Sequence, residues 1–97
     1  LSNVLYGLSA GRYTQFHLVE GPNFTATRSL KYFEELINSY GFCRIRDSHL
    51  VNLNQIKQYN KGRDGSVVMS NEELINVSRN NRDILMRKIS MTNSDDY

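Results

Sequence analysis

Apolar positions come in short runs with two different periods. Residues 4–9 hold Val4, Leu5, Tyr6 and Leu8 and read as a strand, with a turn at Ala10-Gly11-Arg12. Residues 13–20 alternate, Tyr13, Gln15 and His17 facing one way and Phe16 and Leu18 the other, which is the period of a half-buried strand. Gly21-Pro22-Asn23 is turn chemistry, and residues 24–27 read as a short strand returning from it, completing a hairpin. The period then changes. Leu30, Phe33, Ile37 and Tyr40 fall at helical spacing with Leu36 beside them, giving an apolar face. Glu34 and Glu35 are assigned to the opposite side. Ser29 is placed to cap this helix at its start, and Gly41 to end it.

Residues 42–46 read as a strand with Phe42, Arg44 and Arg46 on one face and Cys43 and Ile45 on the other. Asp47-Ser48 breaks it. Leu50, Val51 and Leu53, bracketed by Asn52 and Asn54, are expected to form a short buried turn. Residues 56–60 and 66–69 predict a second hairpin around Lys61-Gly62-Arg63-Asp64-Gly65, where Asp-Gly is a hairpin signal. Another turn at 71–73 leads to a strand over 74–77. A last helix begins near Arg79, capped by Ser78, with Ile84, Leu85, Lys88 and Ile89 along one side. Residues 92–97 are polar and acidic and are expected to be a disordered tail.

The fold expected is mainly β: an elongated antiparallel arrangement of short strands with two small helices, forming one domain over residues 1–91. Periodicity assigns Leu30, Phe33, Leu36, Ile37, Leu50, Val51, Ile56, Val67, Met69, Ile75, Val77, Ile84 and Leu85 to the core. The absence of βαβ alternation, of G-x-G-x-x-G and of a Walker loop argues against nucleotide binding of those kinds.

With 97 residues and 39% hydrophobic content the composition is that of a globular domain, and no apolar run is long enough to span a bilayer. The chain opens directly in a strand-like run with no signal peptide in view, so it reads as a domain of a longer cytoplasmic protein. Cys43 stands alone, which argues against a disulfide-stapled secreted fold, and Cys43, His17 and His49 lack any metal-ligand spacing. No cofactor is implied. Neither histidine has a nucleophile or a paired carboxylate beside it in sequence, so the expectation is a domain that is not an enzyme and has no small-molecule substrate. The net charge of +2 says little, but its distribution says more. Residues 1–40 balance three basic against three acidic side chains, whereas residues 41–89 carry nine basic against five acidic. A basic second half suits a polyanionic partner, and scattered solubilising charge is the plainer alternative.

Two stretches are more specific: Gly41-Phe42-Cys43-Arg44-Ile45-Arg46-Asp47-Ser48-His49-Leu50-Val51-Asn52-Leu53-Asn54-Gln55-Ile56, and Ile75-Asn76-Val77-Ser78-Arg79-Asn80-Asn81-Arg82. Together, with a hairpin between them, they resemble the LytTR family of DNA-binding domains, whose hallmark reads F-x-R-I-H-x-S-x-L-V-N-L before the hairpin and V-S-R before the last helix. The resemblance extends from about Val4 to Ile89. It implies the output domain of a bacterial two-component response regulator, placed after a receiver domain and binding short direct repeats of double-stranded DNA as two copies side by side. It further implies contact through loops that enter the major groove, matching here residues 11–13, 46–48 and 78–82. Two positions depart from the pattern: Arg46 stands where the family has His, and Cys43 where an aromatic is often found.

The candidate DNA-binding residues are therefore Arg12, Tyr13, Arg46, Asp47, Ser48, Lys57, Lys61, Arg79, Asn80 and Arg82. Arg79 and Arg82 are expected in the first turn of the last helix, where cations need an anionic partner to justify them. Arg46 can reach phosphate or guanine. Asp47 is read as orienting Arg46, and Ser48 as satisfying backbone within the same loop. Arg44 either joins Arg46 at DNA or pairs with an acid. Tyr13 offers a hydroxyl, although a tyrosine opening a strand also serves packing. Lys57, Lys61 and Arg63 are candidates for phosphate contacts, or for charges that protect a strand edge. A protein-interaction or sensing module of a larger chain is the alternative function, and it differs in lacking a steep salt dependence.

Overall fold

The structure is a computed structural model that describes residues 1–62 and 65–92. Arg63 and Asp64 of the expected hairpin loop, and residues 93–97 of the expected tail, lie outside the described residues. The described residues form eight strands in two antiparallel sheets with two helices. They span 39 × 26 × 24 Å, an elongated body.

The larger sheet has the order β3-β2-β1-β5-β4, built from β1 (Val4–Ala10), β2 (Tyr13–Leu18), β3 (Phe24–Ala26), β4 (Phe42–Arg46) and β5 (His49–Asn52). The smaller sheet is a meander of β6 (Ile56–Asn60), β7 (Ser66–Met69) and β8 (Leu74–Asn76). Helix α1 (Leu30–Ile37) continues as a 3-10 turn over Asn38–Tyr40 and ends at Gly41, whose φ of 85° suits glycine. Helix α2 (Arg79–Thr92) closes the chain.

The core has two parts, one on each face of the larger sheet. Leu30 and Ile37 of α1 pack with Val4, Phe16, Phe42 and Leu50. Cys43, Ile45 and Val51 face the other way, meeting Val67, Met69 and Ile75 of the smaller sheet and Leu85 of α2. Residues 50–52 thus depart from the expected turn: they belong to β5, which lies between β1 and β4 at the heart of the sheet. Leu50, Val51 and Asn52 are all buried, because a strand covered on both faces loses the polar–apolar alternation that marks a strand. Asn52 is satisfied there, donating to the Val4 carbonyl (2.8 Å) and accepting from the Asn54 amide (3.1 Å).

Two residues assigned to the core are at the surface, Leu36 (55% exposed) and Ile84 (46%). At 3.6 residues per turn, Leu36 lies about 120° around α1 from Leu30, and Ile84 about 100° around α2 from Leu85, outside the narrow stripe each short helix buries. The same rotation brings Glu34 to about 40° from Leu30, on the margin of the buried face rather than opposite it, where it is half-buried and meets Arg44.

Helix α2 is fastened along the free edge of β4. The Lys88 ammonium donates to the Phe42 carbonyl (2.9 Å), Asn81 Nδ2 to the Arg44 carbonyl (2.7 Å), and the Ser78 amide to the Ile45 carbonyl (2.8 Å). An edge that would otherwise expose unpaired carbonyls is thereby covered. Ser78 precedes the helix as expected, but its hydroxyl donates to Asn81 Oδ1.

Candidate nucleic-acid interface

Strand pairing decides which loops meet. Because β1 and β5 run antiparallel with Leu8 opposite His49, the β1–β2 turn and the β4–β5 turn leave the sheet at the same end, and the Ser9 amide donates to the Ser48 carbonyl (2.9 Å). The bond from Ser78 to Ile45 sets the start of α2 beside the end of β4. The Val77 amide in turn donates to the Gly65 carbonyl (3.0 Å), drawing in the β6–β7 connection. These three segments surround an open cleft of about 850 Å³, lined by Arg46, Asp47, Ser48, Gly62, Gly65, Ser66 and residues 76–81. Val77 is the one aliphatic residue lining it among the described residues, unlike the apolar wall of a small-molecule pocket.

The cleft gathers five of the ten candidate residues: Arg46, Asp47, Ser48, Arg79 and Asn80. Arg46 is half-buried, and its guanidinium makes no hydrogen bond or ion pair among the described residues. Asp47 is exposed, and no contact joins its carboxylate to Arg46, so it does not orient that side chain as expected; Arg44 bonds the Asp47 carbonyl instead. The Ser48 hydroxyl bonds the neighbouring His49 ring at Nδ1 (2.7 Å). Lys61 and Arg82 share a smaller hollow with Tyr59, Asp83 and Met86, beside the cleft at Gly62.

Arg12 and Tyr13 are at the tip of the β1–β2 hairpin, outside the cleft lining. The loop is the two residues Gly11-Arg12, and Gly11 with φ 67° meets the need for a positive φ at the first position of such a turn. The last pair before the tip, Ala10–Tyr13, is two residues past the Leu8–His49 pair, roughly 7 Å further along the strand. Tyr13 is 48% exposed, which removes the packing role from its ring. Lys57 is at the opposite end of β6 from the cleft and pairs with Glu72. Arg44 points along the α1 face and pairs with Glu34 (2.7 Å).

Asn81 lies in the loop 78–82 that the resemblance assigned to DNA, but sequence reasoning did not place Gly62, Gly65, Ser66, Asn76 or Val77 at the site, and these complete the cleft wall. They come from segments whose approach depends on the packing of one sheet on the other, and no local pattern signals it.

Behind the β4–β5 turn lies a partly buried polar cluster around Tyr6. The Tyr6 ring stacks on His17 (4.6 Å between centroids) and tilts against His49 (5.1 Å), and its hydroxyl donates to Glu73 Oε2 (2.7 Å). Burial and the Glu73 carboxylate push the Tyr6 hydroxyl above the usual tyrosine range. Burial, aided by nearby Arg46, holds His49 below the usual histidine value, favouring its neutral form. Glu73 is drawn below the usual carboxylate value: burial opposes this, but hydrogen bonds from Asn71 and Tyr6 and the neighbouring histidines prevail.

A profile of the LytTr DNA-binding domain matches residues 1–90. The chain belongs to the LytTR family of DNA-binding domains. Among solved structures, this LytTR domain is similar to the LytTr DNA-binding domain of a methyl-accepting/DNA response regulator from Bacillus cereus, with 27% identity and a TM-score of 0.81. That match covers 91% of this chain and 82% of the other. No curated protein sequence matches the chain. The mainly β architecture and the family membership agree with the resemblance read from the two sequence motifs. Among the described residues no helix is long and apolar enough to cross a membrane, and no cluster of His, Cys, Asp and Glu could hold a metal.

Proposed function

We propose that this LytTR domain, residues 1–91, reads the sequence of double-stranded DNA through loops that enter the major groove, and that it is the output domain of a cytoplasmic bacterial two-component regulator. One observation carries the reading: loops remote in sequence converge on a single open cleft, where Arg46 presents a guanidinium with no partner among the described residues. Arg79 and Asn80, from the first turn of α2, line that cleft together with Asp47 and Ser48. Arginine in such a position reads guanine through its O6 and N7 or neutralises a phosphate, and asparagine suits adenine. The β1–β2 tip, with Arg12 and Tyr13, extends the same end of the molecule toward a neighbouring stretch of groove. Lys61 and Arg82 flank the cleft as phosphate contacts, while Lys57, at the other end of β6 and paired with Glu72, lies outside the cleft lining and is left out of the contact set.

A single domain of this size binds weakly. Two copies on short direct repeats, held together by an upstream receiver-domain dimer, gain affinity through effective concentration. The test is selection from randomised duplex DNA followed by anisotropy titration at several salt concentrations, with Arg79→Ala alongside. The expected result is enrichment of a short repeated motif, a log–log salt slope of roughly −4, and relaxed preference at one base position in the variant. Undetectable or salt-insensitive binding at tens of micromolar would overturn the reading and point instead to a protein partner.

A further inference from the structure

The β4–β5 turn carries three of the residues assigned to DNA, yet neither Arg46 nor Asp47 holds the turn in shape through its side chain. Arg44 does so from below. Its Nη2 donates to the Asp47 carbonyl (2.7 Å), its Nε to the Arg46 carbonyl (3.2 Å), and its Nη1 to Glu34 Oε1 on α1 (2.7 Å). One planar guanidinium thus ties two successive carbonyls of the turn to a carboxylate on a packed helix. The backbone of the same residue reaches the other reading segment. The Arg44 carbonyl accepts from Asn81 Nδ2 (2.7 Å), and Asn81 is fixed by the Ser78 hydroxyl within the first turn of α2. Arg46 and Asp47 on one side, and Arg79 and Asn80 on the other, are therefore referenced to a single residue.

We propose that Arg44 is a specificity-determining positioning residue, which sets the turn and the start of α2 in the mutual register needed to read base edges and does not itself touch DNA. The proposal rests on the DNA-reading function above. Its physical basis is a difference in tolerance. Base-edge hydrogen bonds need their donors placed to within about 0.5 Å, whereas phosphate attraction is long-ranged and forgives small displacements. A lysine keeps the charge but not the fork of donors that bridges two carbonyls and a carboxylate. Its carboxylate partner also keeps Arg44 from acting as a free cation toward DNA.

The test is Arg44→Lys in the otherwise intact domain, with affinities measured for the selected duplex and for a scrambled one across a salt series. We expect the ratio of the two affinities to fall at least tenfold. The affinity for scrambled DNA, the salt slope and the melting temperature should stay near those of the parent. In the free protein, the amides of residues 47–49 should exchange hydrogen faster in the variant while the core strands do not. Loss of fold alone moves the melting temperature and both affinities together, so it does not imitate this pattern. A Glu34→Gln variant gives an independent reading: specificity should weaken in the same direction, with no gain in salt slope. An affinity ratio in Arg44→Lys within twofold of the parent would overturn the proposal. So would a salt slope that rises by about one when Glu34 is neutralised, since that marks Arg44 as a phosphate contact waiting for release. A parent domain with no preference for any duplex overturns the DNA-reading function itself, and with it the role of Arg44; a discriminating parent with an indifferent variant overturns the role of Arg44 alone.

Discussion

Replacing Arg46 with alanine separates phosphate attraction from base reading at one position. The side chain lines the cleft, is half-buried, and has no hydrogen bond or ion pair among the described residues. Its removal therefore breaks no hydrogen bond or ion pair among the described residues, and the expected change in stability is within about 0.5 kcal/mol, as for other surface substitutions. A guanidinium that neutralises one phosphate contributes about 0.9 to the log–log salt slope, whatever the number of other contacts. Over a fourfold rise in salt, from about 50 to about 200 mM, the advantage of the parent over the variant should then shrink by about 3.5-fold. This loss should be the same on selected and scrambled duplexes. If Arg46 instead reads guanine with both donors, about 1–3 kcal/mol is lost on the selected duplex alone, and scrambled DNA is bound as before. The assay is anisotropy with parent and variant on both duplexes at four or five salt concentrations. We expect the phosphate pattern, because the family has histidine at this position and an always-charged side chain adds attraction without matching its hydrogen-bonding role. Equal affinities at every salt concentration on both duplexes would refute the placement of Arg46 at DNA.

Three further outcomes follow from the packing. Asn52→Ala removes the donor to Val4 and the acceptor for Asn54 from the middle of the larger sheet; with buried groups left unpaired it should lose about 2 kcal/mol, seen as a fall of about 8–16 °C in melting temperature, and a fall of under 2 °C would show that water or a neighbour replaces the side chain. Because burial holds His49 below its ordinary value of 6.5, the unfolded chain binds the proton more readily, so the contribution of this group is present above about pH 6.5 and is lost as pH falls toward its folded value. A His49→Asn variant should accordingly show a flatter dependence of its urea midpoint between about pH 5.5 and 7.5, and an unchanged dependence would assign the titration to another group. Burial also pushes the Cys43 thiol up, and the residue has no exposed surface; Ellman's reagent should react with it only on unfolding, so prompt labelling of the native domain would contradict its place in the core.

The strands and helices were legible to the extent that each shows one face to water. Burial alternates along residues 13–16 and 66–69 because one side of each is exposed or only half covered, and these segments, like 56–60, form strands as read. Strand β5 was hidden for the opposite reason: with α1 on one face and the smaller sheet on the other, its apolar run looks like any buried segment. Both helices were found from their spacing, but the width of their buried stripes was overestimated. An eight-residue helix and a strongly polar one each bury a few positions, and Leu36 and Ile84 fall just outside.

The candidate site was less legible, and the reason concerns the kind of information a strand pattern carries. Charge placement and the two motifs pointed to Arg46, Asp47, Ser48, Arg79 and Asn80, which the fold brings to one cleft. Nothing in the local pattern separates Lys57 from Lys61, since both are lysines on or beside one exposed strand. The difference is which end of β6 meets the start of α2, and that is decided by the bonds from Val77 to Gly65 and from Ser78 to Ile45. The same applies to Arg44 and Arg46. Simple alternation puts both on one strand face, but a bulge between them pairs Arg44 with Leu50, on the α1 side, and Arg46 with His49, on the other; Glu34 of α1 therefore meets the first, and the second has no carboxylate partner among the described residues. An arginine beside a strand end thus becomes a support or a reader according to whether the neighbouring helix supplies an acid. That distinction depends on packing between elements, and it is where the sequence pattern alone stops discriminating.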